Sequence, residues 1–259
     1  MLNGSTSATS PTPAGAAEPG LLIRLADSLI AILIAPGCAA CARPLERPSL
    51  GPVCAACWRA IVPITPPLCR RCGDPLPTWH VTAGPPAQCA NCRPSAIAAA
   101  RAAGAYDGAL RGILHAFKYG RRRSLARPLG GLMRRAAGGL LNGVEIVVPV
   151  PLHWRRRRRR GFNQAEALAR NLGLPCRNAL RRRRSTPSQT DLPAAERQRN
   201  VRDAFALRRG AGVNGRIVLI VDDVATTGAT IEACARVLRA AGAQEVRALT
   251  AARVVARSR

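Results

Sequence analysis

Apolar and polar positions divide the chain into stretches of different kinds. Residues 1–20 consist largely of Ser, Thr, Pro, Ala and Gly without an apolar period, the composition of a disordered tail. Residues 21–35, LLIRLADSLIAILIA, are apolar but carry Arg24 and Asp27, which predicts an amphipathic helix packed on the protein itself. Between 38 and 93 the chain is rich in Cys and Pro, too broken for long helices or strands, and is expected to be held by ligands rather than by a core. From about residue 96 short apolar runs alternate with helical patterns. A strand is expected around 103–106, then a helix over 108–117 and a second over 124–141, with Pro128 tolerated in its first turn. The β-branched run 144–151 reads as a buried strand, and 163–171 as a helix that Gly173 and Pro175 end. Residues 181–200 are polar and charged without a period, so a long loop is expected. A strand over 216–221, a helix over 228–241 closed by Gly242, and a strand over 245–253 complete the pattern. Such alternation predicts a parallel sheet covered by helices.

Charge adds a second layer. The 259 residues hold 40 Lys+Arg against 14 Asp+Glu, a formal net charge of +26, and Lys118 is the sole lysine. GC-rich coding can produce such an arginine excess, and so can selection for polyanionic partners, either nucleic acid or phosphorylated metabolites. An aromatic content of 3% argues against a conventional base-stacking platform.

Eight of the ten cysteines form C-x-x-C pairs, Cys38/Cys41, Cys54/Cys57, Cys69/Cys72 and Cys89/Cys92, while Cys176 and Cys234 stand alone. A two-residue gap lets two thiolates converge on one tetrahedral ion, the spacing of zinc ribbons. Eight ligands make two complete sites, so His80 is at most a stray ligand. Loop-closure entropy favours joining 38/41 to 54/57 and 69/72 to 89/92, with an interleaved pairing as the alternative. A disulfide scaffold would need export. Residues 21–35 lack a preceding basic region and are too short to span a bilayer, and in LIAPGC, faintly like a lipoprotein cleavage site, Ala35 replaces the usual larger aliphatic residue. The expectation is a cytoplasmic protein.

The densest chemistry lies in RIVLIVDDVATTGATIEACA, residues 216–235, where an apolar strand runs into Asp222 and Asp223. Helix capping accounts for one Asp or Thr but not for two acids followed by T-T-G-A-T. A phosphate-binding P-loop is excluded because G-x-x-x-x-G-K-[ST] is absent. A phospho-receiver domain would need roughly 100 further residues. Fewer than 40 remain. A sugar-phosphate site fits: adjacent carboxylates accept hydrogen bonds from vicinal hydroxyls, and the small-residue turn before a helix offers amides to a phosphate. Gly228 would permit close approach of the backbone.

VLIVDDVATTGAT resembles the phosphoribosyl-pyrophosphate (PRPP) binding motif of type I phosphoribosyltransferases. Together with the cysteine module, FKYG, VVPVPLHWRRRRRRGFNQAEALA and SQTDLPAAERQRNVRDAF, it resembles the ComF family of competence-associated proteins over residues 36–255. The resemblance implies a zinc module over 21–95 and a phosphoribosyltransferase-like α/β domain over 96–259. It implies that Asp222 and Asp223 hold the ribose, and that Ala225, Thr226, Thr227, Gly228, Ala229 and Thr230 cradle the 5′-phosphate. Pro149, Val150, Pro151 and Leu152 would flank the pyrophosphate, and 185–200 would be the loop that closes over the site. Mg²⁺ would accompany PRPP, and Lys118, Arg160 and Arg197 are the expected leaving-group cations, with Asn163, Gln164 and Asn200 as further site candidates. The implied role is in DNA uptake or processing, alongside competence or recombination proteins, either as a transferase with an unidentified acceptor or as a non-catalytic single-stranded DNA-binding protein. Arginines 155–160 read either as a solvated face or as the patch that meets the DNA backbone.

Overall fold

The computed structural model describes residues 36–76, 88–89, 92, 95–120, 122–183 and 204–255, together with residues 23 and 27–30. A four-stranded parallel sheet organises them in the order β1 (Ala99–Ala102), β6 (Glu245–Arg253), β5 (Ile217–Ala225), β2 (Ile146–Pro149). A small antiparallel sheet pairs β3 (Leu180–Arg182) with β4 (Phe205–Leu207). Side chains alternate between two cores. Val147, Leu219, Val221 and Leu249 pack with helices α2 (Gly108–Tyr119), α3 (Ala126–Ala137) and α5 (Gln164–Ala169). Ile146, Val148, Val218, Ile220 and Ala248 point the other way, onto helix α6 (Ala229–Ala240) and the small sheet. Burial on both faces is why the central strands read as unbroken apolar runs.

The parallel sheet is as expected, but several boundaries move. The first strand occupies Ala99–Ala102 rather than 103–106, and Ala105 keeps only a bridge to Arg253. The sequence Ala-Ala-Arg-Ala carries little strand propensity, so pairing with β6 makes it a strand. Strand β5 extends past 221 and runs through both acids to Ala225. Arginines 155–160 belong to a helix, α4 (Trp154–Arg160), in keeping with the good helix propensity of Arg. Arg181 and Arg182, expected in a loop, lie in β3 because buried Leu180 and Phe205 anchor the small sheet. The remainder of the 181–200 segment, from 184, lies outside the described residues.

Contrary to the expectation of a module held by ligands rather than by a core, Cys38, Leu45, Val53 and Cys57, the last in the short helix α1 (Ala55–Arg59), pack into the same core as Leu110, Ile113 and Leu114 of α2. The fit is close: a Cβ on Gly112 would lie 3.1 Å from the Ala40 carbonyl oxygen. Buried Asp27, in the helical stretch 27–30, accepts hydrogen bonds from Ser49 N and Oγ, both at 2.8 Å. The cysteine module also covers the β1 edge, where a Cβ on Gly73 would meet the Ala100 carbonyl oxygen at 2.5 Å. The opposite edge, β2, is covered by 175–177, with Val147 N donating to Pro175 O at 2.8 Å and Arg177 N to Val147 O at 2.9 Å. Among the described residues no helix is long and apolar enough to cross a membrane.

Two neighbouring glycines of α3 give opposite expectations. A Cβ on Gly130 would stand 2.6 Å from Asn171 Cβ and 3.0 Å from its carbonyl oxygen, whereas on Gly131 the nearest atom is Arg135 Nη1 at 3.7 Å. Gly130→Ala should therefore destabilise by about 1–3 kcal/mol, and Gly131→Ala should stabilise by about 0.5–1 kcal/mol. Denaturant titration of both variants checks the pair; equal effects would show that α3 does not press on Asn171.

Candidate functional site

Strand β5 delivers the two acids to the carboxyl edge of the sheet, with Asp222 paired to Thr250 of β6 and Val224 to Ala252. Because the register is unbroken, the two side chains leave on opposite faces. Asp223 turns towards α2, where Lys118 Nζ lies 3.0 Å from its Oδ1. Both partners are largely covered, with 14% and 13% of their side chains exposed. Burial alone would lower the Lys118 pKa, but the Asp223 carboxylate outweighs it and holds the ammonium above its ordinary value. The ammonium also stands 6.0 Å from the centroid of the Tyr106 ring. Asp222 is half-buried and accepts the Asp223 backbone N–H at 2.8 Å. Burial first, then the neighbouring Asp223 charge, pushes it up to about 7 against the pull of Lys118 and Arg182.

Ala225 ends the strand, and the turn beyond it exposes Thr226 and Thr227. Gly228, at φ +74°, takes the left-handed conformation that enters α6, and a Cβ there would meet nothing within 4 Å. Its requirement is therefore the backbone angle rather than space. Thr227 Oγ1 accepts from Ala229 N at 3.4 Å, and Thr230 lies in the first turn of α6. One strand away, Val150 N donates to Val221 O at 2.9 Å, which sets the turn Pro149, Val150, Pro151, Leu152 beside the acid-bearing strand. Asn163 pins this turn, donating from Nδ2 to Val150 O at 3.1 Å while its Oδ1 caps α5 through Ala165 N at 3.2 Å.

The remaining cations take separate places. Arg160 donates to Gln164 Oε1 at 3.1 Å and to Tyr119 Oη at 3.4 Å, and its guanidinium lies 5.1 Å from the Tyr119 ring centre. Its Nε and the Nε2 of buried Gln164 have no hydrogen-bond acceptor among the described residues. A 310 Å³ cleft opens between Tyr119 and Arg155, Arg156, Arg159 and Arg160. Burial, then neighbouring Arg160 and Arg159, lowers Arg156. Arg197 and Asn200 lie outside the described residues.

In the cysteine module the eight thiols form two groups, Cys38, Cys41, Cys54, Cys57 and Cys69, Cys72, Cys89, Cys92, each with all Sγ atoms within 4.8 Å of one another. This is the non-interleaved pairing. Sγ separations of 3.8 Å (Cys38–Cys57), 3.9 Å (Cys41–Cys54), 3.4 Å (Cys69–Cys92) and 3.5 Å (Cys72–Cys89) bracket the edge of about 3.8 Å for four thiolates around zinc. Cys38 Sγ accepts backbone N–H groups from Ala40 at 3.5 Å and Cys54 at 3.3 Å, contacts that favour its thiolate form. Burial, followed by the neighbouring thiols, raises Cys57, so a cation is needed before all four can ionise. Each cluster fits one structural zinc ion.

Two family models match the chain: a double zinc ribbon domain over residues 29–93 and a phosphoribosyl transferase domain over 158–258. The DNA utilization protein YhgH of Escherichia coli (strain K12) is 35% identical over 228 residues, covering 83% of this chain and 96% of that protein. Competence protein F of Haemophilus influenzae is 30% identical over 207 residues, covering 75% of this chain and 87% of the relative. The chain belongs to the ComF family. A solved glutamine PRPP amidotransferase from B. subtilis shares 27% identity over 49% of this ComF chain and 26% of its own length, with a TM-score of 0.33, too low to bear on the site.

Within this ComF chain the expected site residues divide. Asp223 and Lys118 meet, and the 149–152 turn and the 225–230 segment flank the same strand end. Lys118, expected among the leaving-group cations, pairs with Asp223, one of the two acids expected to hold a sugar. Three further residues stand near these groups, none of which the sequence singles out by its own chemistry. Arg182 on β3 feels the Asp222 charge and stacks 5.4 Å from the Phe205 ring centre. His153 is buried as the cap of α4, its Nδ1 facing Arg155 N at 3.4 Å, and burial with Arg182, Arg155 and Arg156 lowers its pKa. Tyr106 faces Lys118. Only the alternation around Leu180 and Phe205 could have drawn attention to Arg182; nothing local distinguishes the other two.

The raised Asp222 fixes a pH effect. Its folded value, about 7, exceeds the ordinary 3.8, so the folded protein holds the proton more tightly and loses stability as pH rises between those values. His153, held below its ordinary 6.5, acts in the opposite sense, losing stability as pH falls through that value. The difference in melting temperature between wild type and Asp222→Asn isolates the aspartate. Taken as wild type minus variant, it should fall as pH rises from about 4 to 7 and level off above that; a pH-independent difference would refute the coupling.

Proposed function

We propose that this protein binds PRPP with Mg²⁺ at the carboxyl end of β5 and serves DNA uptake or processing, transferring the phosphoribosyl group to a nitrogen nucleophile. The observation that carries the reading is the half-buried acid pair, at a sheet edge in a strongly cationic chain, leading directly into an amide-rich turn and a 12-residue helix. The domain assignment and the relatives named for competence and DNA utilization support it.

In this reading Asp222 and Asp223 accept hydrogen bonds from the ribose hydroxyls, one from each face of the strand. Lys118 holds Asp223 in place through their ion pair, so it acts on the ribose rather than on the leaving group. Amides of 226–230, the Thr hydroxyls and the positive end of α6 hold the 5′-phosphate. The 149–152 turn lies along the diphosphate. Arg160 and Gln164, each with a donor lacking an acceptor, fit an anion beside that turn. Mg²⁺ arriving with PRPP would supply positive charge that offsets the diphosphate, with Asp222 and Asp223 the carboxylates at hand to hold it. As positive charge grows at C1 of the ribose, the carboxylates face it while the arginines face the departing diphosphate.

Calorimetry with PRPP and Mg²⁺ tests the reading. Asp222→Asn with Asp223→Asn should weaken binding at least roughly a hundredfold, since charge-assisted hydrogen bonds are lost at both acids. The fold should remain intact. Unchanged affinity would sink the sugar site. Pyrophosphate release, followed across nitrogen acceptors with DNA present and absent, distinguishes the transferase from a binding protein.

A second reading, a single-stranded DNA-binding protein without catalysis, is favoured by one observation: α4 lines a 310 Å³ cleft with Arg155, Arg156, Arg159 and Arg160. Replacing arginines 155–159 by Gln should weaken DNA binding and lower its salt slope by about 2 if three phosphate contacts are lost, each contributing roughly 0.7. PRPP affinity should survive. A parallel fall in both affinities would place the run on the diphosphate, and no change in either would leave it a solvated face.

A further inference from the structure

The second cysteine cluster lies far in sequence from the 226–230 turn, yet one side chain joins them. Arg253 closes β6 opposite Ala225, the residue immediately before the turn. Three chain segments are sewn together at this point: Arg253 N donates to Gly104 O at 3.0 Å, Tyr106 N to Arg253 O at 2.7 Å, and Val254 N to Ala225 O at 2.9 Å. The Arg253 side chain, only 14% exposed, then leaves the sheet and enters the second ribbon. Its Nε pairs with Asp74, and its Nη1 donates to Cys72 O at 3.0 Å.

Both partners belong to one knuckle. Cys69 N donates to Asp74 O at 2.8 Å and Gly73 N to Cys69 O at 3.0 Å, while Cys69 and Cys72 converge on Cys89 and Cys92. The loop that receives the guanidinium is thus the loop that the metal cluster closes. A largely covered guanidinium without its carboxylate is costly and would swing to water. Such a movement would pull the end of β6 from Ala225 and loosen the turn that follows. It would also disturb Tyr106, whose ring faces Lys118.

We propose that Arg253 is a positioning residue for the 226–230 turn and that the second zinc ribbon, gripping it through Asp74 and the Cys72 carbonyl, sets the geometry of the ligand site. The ligand role of the turn rests on the function proposed above; the mechanical link does not. Arg101 supplies an internal control. Its Nη1 donates to Cys69 O at 3.5 Å and Arg70 O at 3.2 Å, fastening the same knuckle to β1 at a contact separate from Arg253.

The test is hydrogen exchange on the full-length, zinc-loaded protein, with zinc content measured for every variant. Asp74→Ala should speed exchange of the 225–230 amides roughly tenfold, Asp74→Glu should restore most of the protection, and Arg101→Gln should speed exchange in 69–76 alone. Arg253→Lys keeps the charge but cannot span both acceptors, and should loosen the same amides to a smaller degree. It decides the matter if Asp74→Ala does not fold. Unchanged exchange at 225–230 in the folded variants, or an equal effect of Arg101→Gln there, would overturn the proposal. PRPP affinity, by calorimetry, should fall roughly tenfold in Asp74→Ala and stay constant in Arg101→Gln. If wild type binds no PRPP, the functional reading fails by itself and the exchange result still decides the link.

Discussion

Strand β5 is enclosed by β2 and β6 at its sides and by separate cores above and below, so that Val218 to Val221 are fully buried. No charge can be carried along that stretch without a large desolvation cost. The first position at which a carboxylate becomes tolerable is the carboxyl edge, and both acids stand there. Even at the edge the space is only half open. Asp223 is paired with Lys118, while burial and then the Asp223 charge push Asp222 towards the protonated form against the pull of Lys118 and Arg182. The alternation that sorts apolar residues into two cores thus gives two chemically similar acids different surroundings.

Support for this strand end comes from opposite sides. On one face α2 carries Lys118, and α2 is seated on the first cysteine cluster through Leu110, Ile113 and the close approach of Gly112 to Ala40. At the β1 edge the second cluster meets Arg101 and Arg253. Small parallel sheets have two edges to protect. Here one is covered by a metal knuckle and the other by the 175–177 segment. Both clusters therefore contribute to the packing around the sheet as well as to their own local folds.

The arginine excess has structure too. Arg160 braces Gln164 and Tyr119, Arg247 reaches the Leu140 and Asn142 carbonyls at 2.7 Å each, and Arg253 joins the sheet to a ribbon. Arg156 and Arg182 are depressed by burial first and by neighbouring guanidinium groups next. Cations crowded in this way favour an anionic occupant. Burial first, and then Arg182, Arg155 and Arg156, hold His153 towards its neutral form.

How much of this was legible in the sequence follows from the range of the forces involved. Apolar runs marked β2, β5 and the far end of β6, because a strand buried on both faces must be apolar whatever its partners. The C-x-x-C spacing marked the metal ligands, since convergence on one ion needs only two residues between thiols. The acids and the small-residue turn marked the candidate site, because their chemistry is contiguous in the chain. Strand β1 was misplaced, since an alanine-rich segment becomes a strand only through the hydrogen bonds β6 offers it. The partition of Asp222 from Asp223, the attachment of Lys118 to the latter, and the grip of Asp74 on Arg253 join residues from 74 to 253 in sequence. Such pairings depend on which face a side chain leaves and which edge a loop covers, and only the folded sheet decides both.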